Sequence, residues 1–461
     1  MRLTVIGCGY LGAVHAAAMA ELGHHVLGVE TDPARLAPLA RGESPFYEPG
    51  LEELLRRGAR EGRLRYTDDP ARAELAGAAV HFLAVGTPQS PSGRGTDLSC
   101  LWEAVDALAA ALPRRRHLAG LPLVVGKSTV PVGTAARVAD RLAGRALVVW
   151  NPEFLREGLA VSDTLRPDRI VYGLPSDPAG AERARAVLDE VYAPILEADV
   201  PRLTMDYQTA ELVKTAANAF LATKISFINA MSALCDAAGA DVAVLADAIG
   251  RDARIGHRFL RAGIGFGGGC LPKDLRGLEQ RAAELGADGL ASFLDRVDAI
   301  NRGQRDHVTR MALDALGPDP AGRAVTILGV TFKPDSDDLR DSPVLEVALR
   351  LRDAGAVVTV HDPRGLAGLS RRHPDLRTQP DALRALEGAE LVILGTEWKE
   401  LTDLDPAAAA ARAARPVLID ARNALVPSRW TAAGWDYRGI GRHAGPRRSA
   451  PAPDRADAAA G

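Results

Sequence analysis

The stretch Leu3–Gly12, LTVIGCGYLG, decides the predicted fold of this chain. It opens with four apolar residues, as in a buried strand of a parallel sheet, and continues into a glycine-rich turn that begins a helix. Gly7, Gly9 and Gly12 have the GxGxxG spacing, which allows a tight turn, close approach of a pyrophosphate and close packing of helix on strand. The helix N-terminus adds unpaired N–H groups for phosphates. The stretch predicts a dinucleotide-binding unit in a doubly wound α/β domain.

An acidic residue stands where such a unit needs one. Glu30 ends the next predicted strand, about 20 residues beyond the glycines, where its carboxylate can accept hydrogen bonds from ribose hydroxyls. A carboxylate there also repels a 2′-phosphate, so NAD is expected rather than NADP. GxGxxG alone is a weak signal in a chain with 45 glycines, and a purely structural strand–turn–helix would show it too. Cys8 is interpreted as a small residue of the turn.

Short apolar runs alternate with helical patterns on both sides of one long helical stretch. The first runs predict buried parallel strands at residues 3–6, 25–29, 80–85, 121–125 and 146–150. From Met205 to about Leu245 the sequence predicts one long helix, either continuous or with a break, that is apolar on most faces and therefore buried between domains or subunits. Strands resume at 324–329, 357–360, 391–394 and 417–420. The prediction is an α/β fold with two doubly wound, Rossmann-like domains joined by a long central helix.

Composition limits the classes of function. The 461 residues carry a net charge of −3, and no long Lys/Arg run suggests a nucleic-acid partner. The four cysteines show no metal-ligand spacing, which argues against a zinc site or disulfide framework and favours a reducing compartment. A strand so near the first residue leaves no room for a signal peptide, and no apolar run reaches membrane-spanning length. We therefore expect a soluble, cytoplasmic protein without a metal.

The most unusual stretch is Gly263–Asp274, GIGFGGGCLPKD. Its glycines let the backbone wrap closely around a ligand, and they deliver a single thiol, Cys270. Lys273 and Asp274 follow closely, so a cation can stabilise the thiolate and a carboxylate can handle protons or water. A flexible loop with a structural cysteine is the alternative interpretation.

Polar groups elsewhere point to the same chemistry. Lys214 and Asn218 are spaced i, i+4 on the otherwise apolar helix, so they project from one face and need partners, of which a ligand is one. A solvated lysine and a structural asparagine would explain the same pattern. The stretches 127–131 and 151–158 follow predicted strands, at the sheet edge where ligands of such folds bind.

With these residues in view, the chain resembles the UDP-glucose/GDP-mannose dehydrogenase family up to about residue 440. The matching blocks occur in order and are specific as a set: GCGYLG, GESPFYEPGLEELL, VGTP, KSTVPVGT, NPEFLREG, ELVKTAANAFLATKISFIN, RIG, GFGGGCLPKD and TFKPDSDDLRDSP. The resemblance implies a domain organisation of residues 1–203 for NAD, 204–305 as a central helical dimerisation domain with catalytic residues, and 320–442 for the nucleotide sugar. Residues 443–461 form a Pro/Ala-rich tail that is expected to be disordered.

The resemblance also implies residue roles. Cys270 matches the nucleophile that holds the sugar as a thiohemiacetal and then a thioester, and Lys214 and Asn218 match the pair that stabilises the oxyanion, with Lys214 also a proton acceptor. Asp274, Thr129 and Glu153 match the groups that arrange water and shuttle protons. The implied NAD contacts are Gly7, Gly9, Tyr10, Leu11, Gly12, Glu30, Arg35, Thr87, Thr129, Glu157, Lys273 and Arg340. The implied nucleotide-sugar contacts are Glu153, Phe154, Leu155, Arg156, Glu157, Lys214, Asn218, Arg254, Phe259, Leu260, Arg261, Ala262, Gly263, Gly267, Phe332 and Lys333.

The implied reaction is oxidation of UDP-glucose to UDP-glucuronate with formation of two NADH. One fingerprinted NAD site must serve two hydride transfers, so a thiol that captures the aldehyde would prevent its loss during cofactor exchange. Arg254 is expected to reach the neighbouring subunit's site, which implies a homodimer.

Three alternatives remain at this stage. The same chemistry could act on GDP-mannose or a UDP-N-acetylhexosamine, because Gly269 and Leu271 depart from the Ser and Phe often found beside the family's cysteine. A one-step hydroxyacid dehydrogenase would need neither Cys270 nor the C-terminal unit. A non-catalytic NAD-binding protein would have no reason to keep the Cys/Lys/Asn/Asp set.

Overall fold

The computed structural model describes residues 1–69, 77–91, 93 and 95–442. The predicted disordered tail at 443–461 lies outside the described residues. Two sheets dominate the architecture, one near each end of the described chain, and four long or medium helices lie between them in sequence. No helix in the described part of the chain is long and apolar enough to cross a membrane.

Within the described residues, the first sheet has eight strands. They are β1 (Arg2–Ile6), β2 (His25–Val29), β3 (Leu64–Thr67), β4 (Val80–Leu83), β5 (Leu123–Gly126), β6 (Leu147–Trp150), β7 (Ile170–Leu174) and β8 (Arg202–Asp206). Their order is β3-β2-β1-β4-β5-β6-β7-β8, parallel except between β6 and β7. The five predicted strands are confirmed and mutually parallel, with ends that shift by one or two residues.

Helices cover both faces of this sheet. They are α1 (Tyr10–Glu21), α2 (Pro33–Ala40), α3 (Leu51–Arg60), α4 (Ser99–Ala111), α5 (Thr134–Arg141), α6 (Ala160–Leu165), α7 (Pro178–Val191) and α8 (Ala193–Leu196), with a 3-10 turn at Leu118–Gly120. Helix α1 is buried nearly all round, because its alanines let it pack closely on the strands. Residues of β1, β4 and β5 such as Val5, Phe82 and Val125 form the core beneath it.

Four helices form the central region: α9 (Tyr207–Ala238), α10 (Val242–Gly250), α11 (Leu271–Glu284) and α12 (Asp288–Leu316). The predicted long helix is present but does not begin at Met205, because β8 continues to Asp206, whose side chain caps α9 by accepting from Thr209 N at 2.7 Å. It also breaks before Leu245, since Gly239 adopts φ +71° and ends α9. Helix α12 continues without interruption past residue 305.

The second sheet is parallel throughout and has the order β11-β10-β9-β12-β13-β14. Its strands are β9 (Ala324–Leu328), β10 (Val357–His361), β11 (Arg377–Thr378), β12 (Leu391–Leu394), β13 (Val417–Asp420) and β14 (Asp436–Gly439). Its helices are α13 (Pro343–Asp353), α14 (Leu366–Arg372), α15 (Ala382–Ala385), α16 (Lys399–Thr402), α17 (Pro406–Ala410) and α18 (Pro427–Ala432). The four predicted strands are confirmed, and the fold is the expected pair of doubly wound units.

The loops at the carboxyl ends of the two sheets meet each other. Lys333, in the loop after β9, donates to the carbonyl oxygen of Glu157, in the loop after β6. The glycine-rich segment before α11 joins the same place, because Gly268 N donates to Arg340 O at 3.0 Å. Loops from both sheets and the segment before α11 therefore meet at the carboxyl ends of the strands, where open α/β sheets bind their ligands.

Candidate active site

The turn after β1 has the geometry that a dinucleotide requires. Gly7 adopts φ +85°, and a Cβ there would lie 2.7 Å from Val85 Cα. A Cβ on Gly12 would lie 1.8 Å from Gly7 O, so only glycine lets α1 pack this close to the turn. Gly9 caps α1 without a side-chain hydrogen bond, which leaves the first amides of the helix free for phosphate oxygens. The buried Cys8 packs in the turn, as predicted.

The predicted ribose ligand is fixed beside this turn. Glu30 is 5% exposed, and its two carboxylate oxygens accept from Cys8 N at 3.0 Å and Asp32 N at 2.9 Å. Each carboxylate oxygen has a second lone pair free for a hydroxyl donor. Arg35 places Nη1 3.8 Å from Glu30 Oε2, so the two predicted ribose contacts are neighbours. These features fit NAD.

Other predicted cofactor residues connect the turn to the strand-end loops. Tyr10 donates to Glu48, and Glu48 also accepts from Gly158 N at 2.6 Å in the loop after β6. Leu11 packs against the core of the first sheet. Thr87 Oγ1 donates to Thr129 O at 2.8 Å, which ties the loop after β4 to the loop after β5. These contacts tie the end of β1 to the end of β6 and the end of β4 to the end of β5.

The predicted catalytic residues converge on the start of α11. Cys270 immediately precedes this helix, and its side chain is open to solvent. Lys214 Nζ lies 2.9 Å from Glu153 Oε1, and Asn218 Nδ2 donates to Asp274 Oδ2 at 2.7 Å. Asp274 also pairs with the predicted NAD contact Lys273, Nζ to Oδ1, at 2.6 Å. The i, i+4 pair on α9 therefore meets one carboxylate from the loop after β6 and one from α11.

The lysine and glutamate at the centre are both held in their charged forms. Burial acts to lower the pKa of Lys214, but Glu153, Cys270 and Asp274 outweigh it, so the pKa is raised. Burial acts to raise the pKa of Glu153, yet Lys214, the hydrogen bond from Leu155 N and Lys127 lower it below its usual value. Lys214 is thus a cation well suited to donate hydrogen bonds to an oxyanion, and less suited to accept a proton.

The thiol itself is held in its protonated form. Crowding by protein raises the pKa of Cys270, Lys214 lowers it, and the carboxylates of Glu153, Asp274 and Glu157 raise it further. Since the side chain keeps an open path to solvent, a reactant can still reach the sulfur. A neighbouring base must therefore take the thiol proton when the sulfur attacks, and the candidates are the three carboxylates whose charges act on the thiol: Glu153, Asp274 and Glu157.

Glu157 links the two strand-end loops. It pairs with Arg340 Nη2 at 3.3 Å and accepts from Ser336 Oγ at 3.1 Å, while its backbone oxygen accepts from Lys333. Burial and Asp338 raise the pKa of Glu157 to about 7, although Arg340 and Lys333 oppose this. The predicted NAD contacts Glu157 and Arg340 and the predicted substrate contact Lys333 therefore form one cluster.

Two glycines before Cys270 make room for the second unit. A Cβ on Gly267 would lie 2.2 Å from Asp341 O, a backbone atom that cannot move aside easily. A Cβ on Gly269 would lie 2.4 Å from the guanidinium carbon of Arg340. These atoms are the far end of a flexible side chain that can move aside, so nothing in the structure explains why position 269 departs from the family pattern. Phe332 packs against neighbouring Gly268.

The aromatic loop residue Phe154 lies between two cations. Its ring centroid is 3.8 Å from the guanidinium carbon of Arg169 and 5.9 Å from Lys214 Nζ. Leu155 contributes its N–H to Glu153 Oε2 at 2.6 Å. The side chain of Arg156 instead pairs with Asp163, Nη2 to Oδ1 at 2.6 Å, at the edge of the loop.

Part of the predicted substrate set lies away from this cluster within one chain. Arg254 is 89% exposed at its side chain and pairs with Asp252. Phe259 is exposed and adopts φ +65°, an uncommon conformation for a non-glycine residue. Arg261 approaches Glu397, with Nη1 3.9 Å from Oε1. The neighbouring residues Leu260, Ala262 and Gly263 are buried. Gly263 N donates to Asn229 Oδ1 at 2.8 Å.

Two residues at strand ends were not predicted as site residues. Arg422, just after β13, donates to Gly265 O at 3.2 Å and Phe332 O at 2.7 Å, so it holds the glycine-rich segment against the loop after β9. Lys127, just after β5, is buried beside Glu153 in the wall of a cavity. The strand-end rule already pointed to the stretch 127–131, which contains Lys127, without giving this residue a role, and the same rule applied to β13 would have selected Arg422.

Comparisons with known proteins cover nearly the whole chain. The models of the UDP-glucose/GDP-mannose dehydrogenase family match over residues 1–196 for the NAD binding domain, 208–303 for the central domain and 326–427 for the UDP binding domain. A UDP-glucose 6-dehydrogenase of Pseudomonas aeruginosa is 41% identical, with 96% of this chain and 98% of the relative covered. One of Rhizobium meliloti is 39% identical, covering 96% and 100%. A solved UDP-glucose dehydrogenase of Pyrobaculum islandicum is 36% identical, covering 95% and 97%, with a TM-score of 0.85.

Proposed function

The chain belongs to the UDP-glucose/GDP-mannose dehydrogenase family, and we propose from this premise that it oxidises UDP-glucose to UDP-glucuronate with formation of two NADH. It is an NAD-dependent oxidoreductase. The observation that carries the proposal is the solvent-open Cys270 between the Lys214–Glu153 and Asn218–Asp274 pairs. A hydroxyacid dehydrogenase or a non-catalytic NAD-binding protein would not need this arrangement.

The cofactor is held by the first sheet and the adjoining loops. The glycine turn and the start of α1 bind the pyrophosphate, while Glu30 and Arg35 bind the ribose. Further contacts come from Thr87, Thr129, Glu157, Lys273 and Arg340. When bound, NAD accepts a hydride from the sugar carbon in each of the two oxidations.

Cys270 retains the intermediate between the oxidations. Its sulfur adds to the aldehyde carbon, the carbonyl π pair moves to oxygen, and the thiol proton passes to a flanking carboxylate. Lys214 and Asn218 donate hydrogen bonds to the resulting oxyanion, where fixed donors contribute most. The second oxidation converts this thiohemiacetal to a thioester, so no free aldehyde is released.

Hydrolysis then frees the product. A water molecule adds to the thioester carbon, the C–S bond breaks, and the sulfur recovers a proton. Asp274, Glu153 and Thr129 orient the water and move its proton, because both carboxylates face the Cys270 thiol. Lys214 serves mainly as an oxyanion donor, since its pKa is raised.

The nucleotide sugar binds between the loop after β6, the glycine-rich segment and the loop after β9. Lys333 neutralises the diphosphate, and exchanges its contact with Glu157 for the substrate. Phe154, Leu155 and the 259–263 segment enclose the remainder of the nucleotide sugar. This assignment supports a division into an NAD-binding domain at 1–203, a central domain at 204–305 and a nucleotide-sugar-binding domain at 320–442.

A homodimer and a cytoplasmic location complete the proposal. Phe220, Phe227 and Leu234 are spaced seven residues apart on α9 and are 67%, 51% and 58% exposed, which forms an apolar stripe suited to a second copy. Arg254 is free to reach the partner's cleft in such a dimer. Four free cysteines suit the reducing cytoplasm.

The test is NADH formation against UDP-glucose, GDP-mannose and UDP-N-acetylhexosamines. We expect UDP-glucose to give the highest kcat/KM and two NADH per sugar consumed. One NADH per sugar, or preference for another sugar, would contradict the proposed function. Intact-mass spectrometry of trapped reactions adds a direct check for the covalent adduct.

A further inference from the structure

A buried lysine, Lys127, lines the same cavity as the predicted catalytic residue Glu153. Lys127 is 7% exposed, and its Nζ donates to Asn151 Oδ1 at 2.9 Å and approaches Asn151 O at 3.3 Å. Among the described residues, no carboxylate forms an ion pair with it. An ammonium group has three N–H donors, and those of Lys127 are directed at a neutral amide. Burying a cation without an ion-pair partner is costly unless a nearby charge compensates it.

Asn151, which accepts the hydrogen bond from Lys127, fixes the start of the loop that carries Glu153. Asn151 Nδ2 donates to Val171 O at 2.9 Å, its Oδ1 also accepts from Tyr192 Oη at 2.7 Å, and its N–H donates to Gly126 O at 2.8 Å. Glu153 lies two residues farther along the same loop. Lys127 therefore fixes the turn that presents Glu153 to Lys214.

Lys127 and Glu153 share one cavity. Its volume is about 70 Å³, and its wall also includes His15, Asn151 and Tyr192. His15 is 1% exposed, and within the described part of the chain its Nε2 has no hydrogen-bond partner. The polar groups in this otherwise largely apolar wall can hold ordered water, through which the lysine charge can reach the carboxylate.

We propose that Lys127 is a positioning residue: it fixes the loop of Glu153 and supplies a second buried positive charge that keeps this carboxylate ionised when Lys214 engages the substrate. The inference rests on the proposed function, in which Lys214 shares its charge with an oxyanion. Without Lys127, the Glu153 carboxylate would lose much of the positive charge that stabilises it when Lys214 binds the oxyanion.

The charges around both groups give the direction of the effect. Glu153 is faced by Lys214 from α9, by Lys127 from the end of β5 and by Cys270 from the start of α11. Burial lowers the pKa of Lys127 to about 8, Glu153 opposes this and Lys214 adds to it, while His15 faces it from α1. Removing the Lys127 charge must raise the pKa of Glu153.

The test variant is Lys127→Gln, which can still donate to Asn151 but carries no charge. We expect the acidic limb of the pH profile of kcat/KM to move to a pH about one unit higher. At pH values below this limb, kcat should fall about tenfold. KM for the nucleotide sugar and Kd for NAD should stay within about twofold, because Lys127 touches neither. Lys127→Arg should restore most of the profile.

Matched variants separate charge from scaffold. Tyr192→Phe removes one hydrogen bond to Asn151 and keeps the charge, so its acidic limb should not move. A double variant, Lys127→Gln with Glu153→Gln, should lose no more than Glu153→Gln alone if Lys127 acts through Glu153. Lys127→Met replaces Lys127→Gln if thermal unfolding shows that the latter fails to fold.

An unmoved acidic limb in Lys127→Gln, an equal shift in Tyr192→Phe, or additive losses in the double variant would each overturn the inference. The pH profiles are measured with a nucleotide sugar that the wild-type enzyme is found to oxidise in the substrate panel. Failure of UDP-glucose as substrate would then count against the proposed function and leave the comparison of variants intact.

Discussion

The carboxylate of Glu30 is held by backbone N–H groups from two segments, Cys8 in the glycine turn and Asp32 after β2. It therefore cannot swing away to admit a second negative charge. A 2′-phosphate placed beside it would be unpaired except through Arg35, whose side chain is half exposed. We therefore predict that discrimination between NAD and NADP depends on the fixed carboxylate of Glu30.

For Glu30, we expect wild-type kcat/KM to be at least about 100-fold higher with NAD than with NADP. Glu30→Gln removes the charge and should lower kcat/KM for NAD about tenfold while narrowing the preference. Glu43→Gln, at an exposed carboxylate that pairs with Arg41 and not with Arg35, is the control and should leave the ratio of the two kcat/KM values unchanged. Equal turnover of NADP by the wild-type enzyme would show that Glu30 does not have this role.

The thiol at position 270 allows a sharper test. Cys270→Ser should bind both substrates and lose overall turnover by about 1,000-fold or more, because a hydroxyl is far harder to deprotonate than a thiol. Intact mass during a single turnover should show a sugar adduct in wild-type enzyme. Cys100→Ser, at an exposed cysteine on α4, is the matched control with full activity. Carboxylate formation by Cys270→Ala at near wild-type rate would exclude the thioester route.

Helices and strands differ in how far the sequence determines them. The strands that were predicted are buried apolar runs such as β4, VHFL, and β13, VLID. Edge strands such as β11, RT, and β14, DYRG, were missed because they are short and partly polar. Strand β7, IVYGL, is buried and was also missed, although its apolar pattern should have indicated it.

The long helix α9 shows the limit of the apolar pattern. Apolar residues on nearly all faces correctly predicted extensive contacts, but not which contacts lie within one chain. One face packs on α11 and α12, whereas Phe220 and Phe227 remain more than half exposed. The pattern cannot distinguish a domain contact from a subunit contact, since both bury the same kind of surface.

The exposed stripe of α9 should therefore control assembly. Phe220→Glu combined with Phe227→Glu should convert a dimer to monomers at micromolar concentration, because burying each ring contributes about 2 kcal/mol. Light scattering after size-exclusion chromatography measures the mass. Val426→Glu, at an equally exposed apolar side chain before α18, should leave the mass unchanged. A dimer that survives the double substitution would place the interface elsewhere.

At the scale of the whole molecule, the candidate site joins residues that are far apart in sequence. The motifs supplied Cys270, Lys214, Asn218 and Asp274, yet spacing could not show that Lys214 would pair with Glu153 rather than Asp274. That pairing depends on how α9 crosses the end of β6, which is a tertiary property. The roles assigned to these residues remain predictions.

Glu157 connects the two α/β units and makes their contact sensitive to pH. Because burial and Asp338 raise its pKa to about 7, the folded protein binds a proton at Glu157 that the unfolded chain releases near pH 4.5. Stability is therefore lost as pH rises from about 4.5 to about 7, and the loss is complete above that range.

Glu157→Gln mimics the protonated form and should remove this loss. Above pH 7 the variant should be more stable than wild-type protein by roughly 1–3 kcal/mol, and the difference should vanish near pH 4.5. The midpoint of thermal unfolding without ligands, measured across this range, gives the difference at each pH. Glu182→Gln, at an exposed carboxylate on α7, is the control. Because Arg185 lowers the pKa of Glu182, this carboxylate does not take up a proton between pH 4.5 and 7, and the unfolding midpoint of the variant should run parallel to that of wild type over this range. If Glu157→Gln also runs parallel to wild type, the carboxylate is ionised at no cost and does not couple the units to pH.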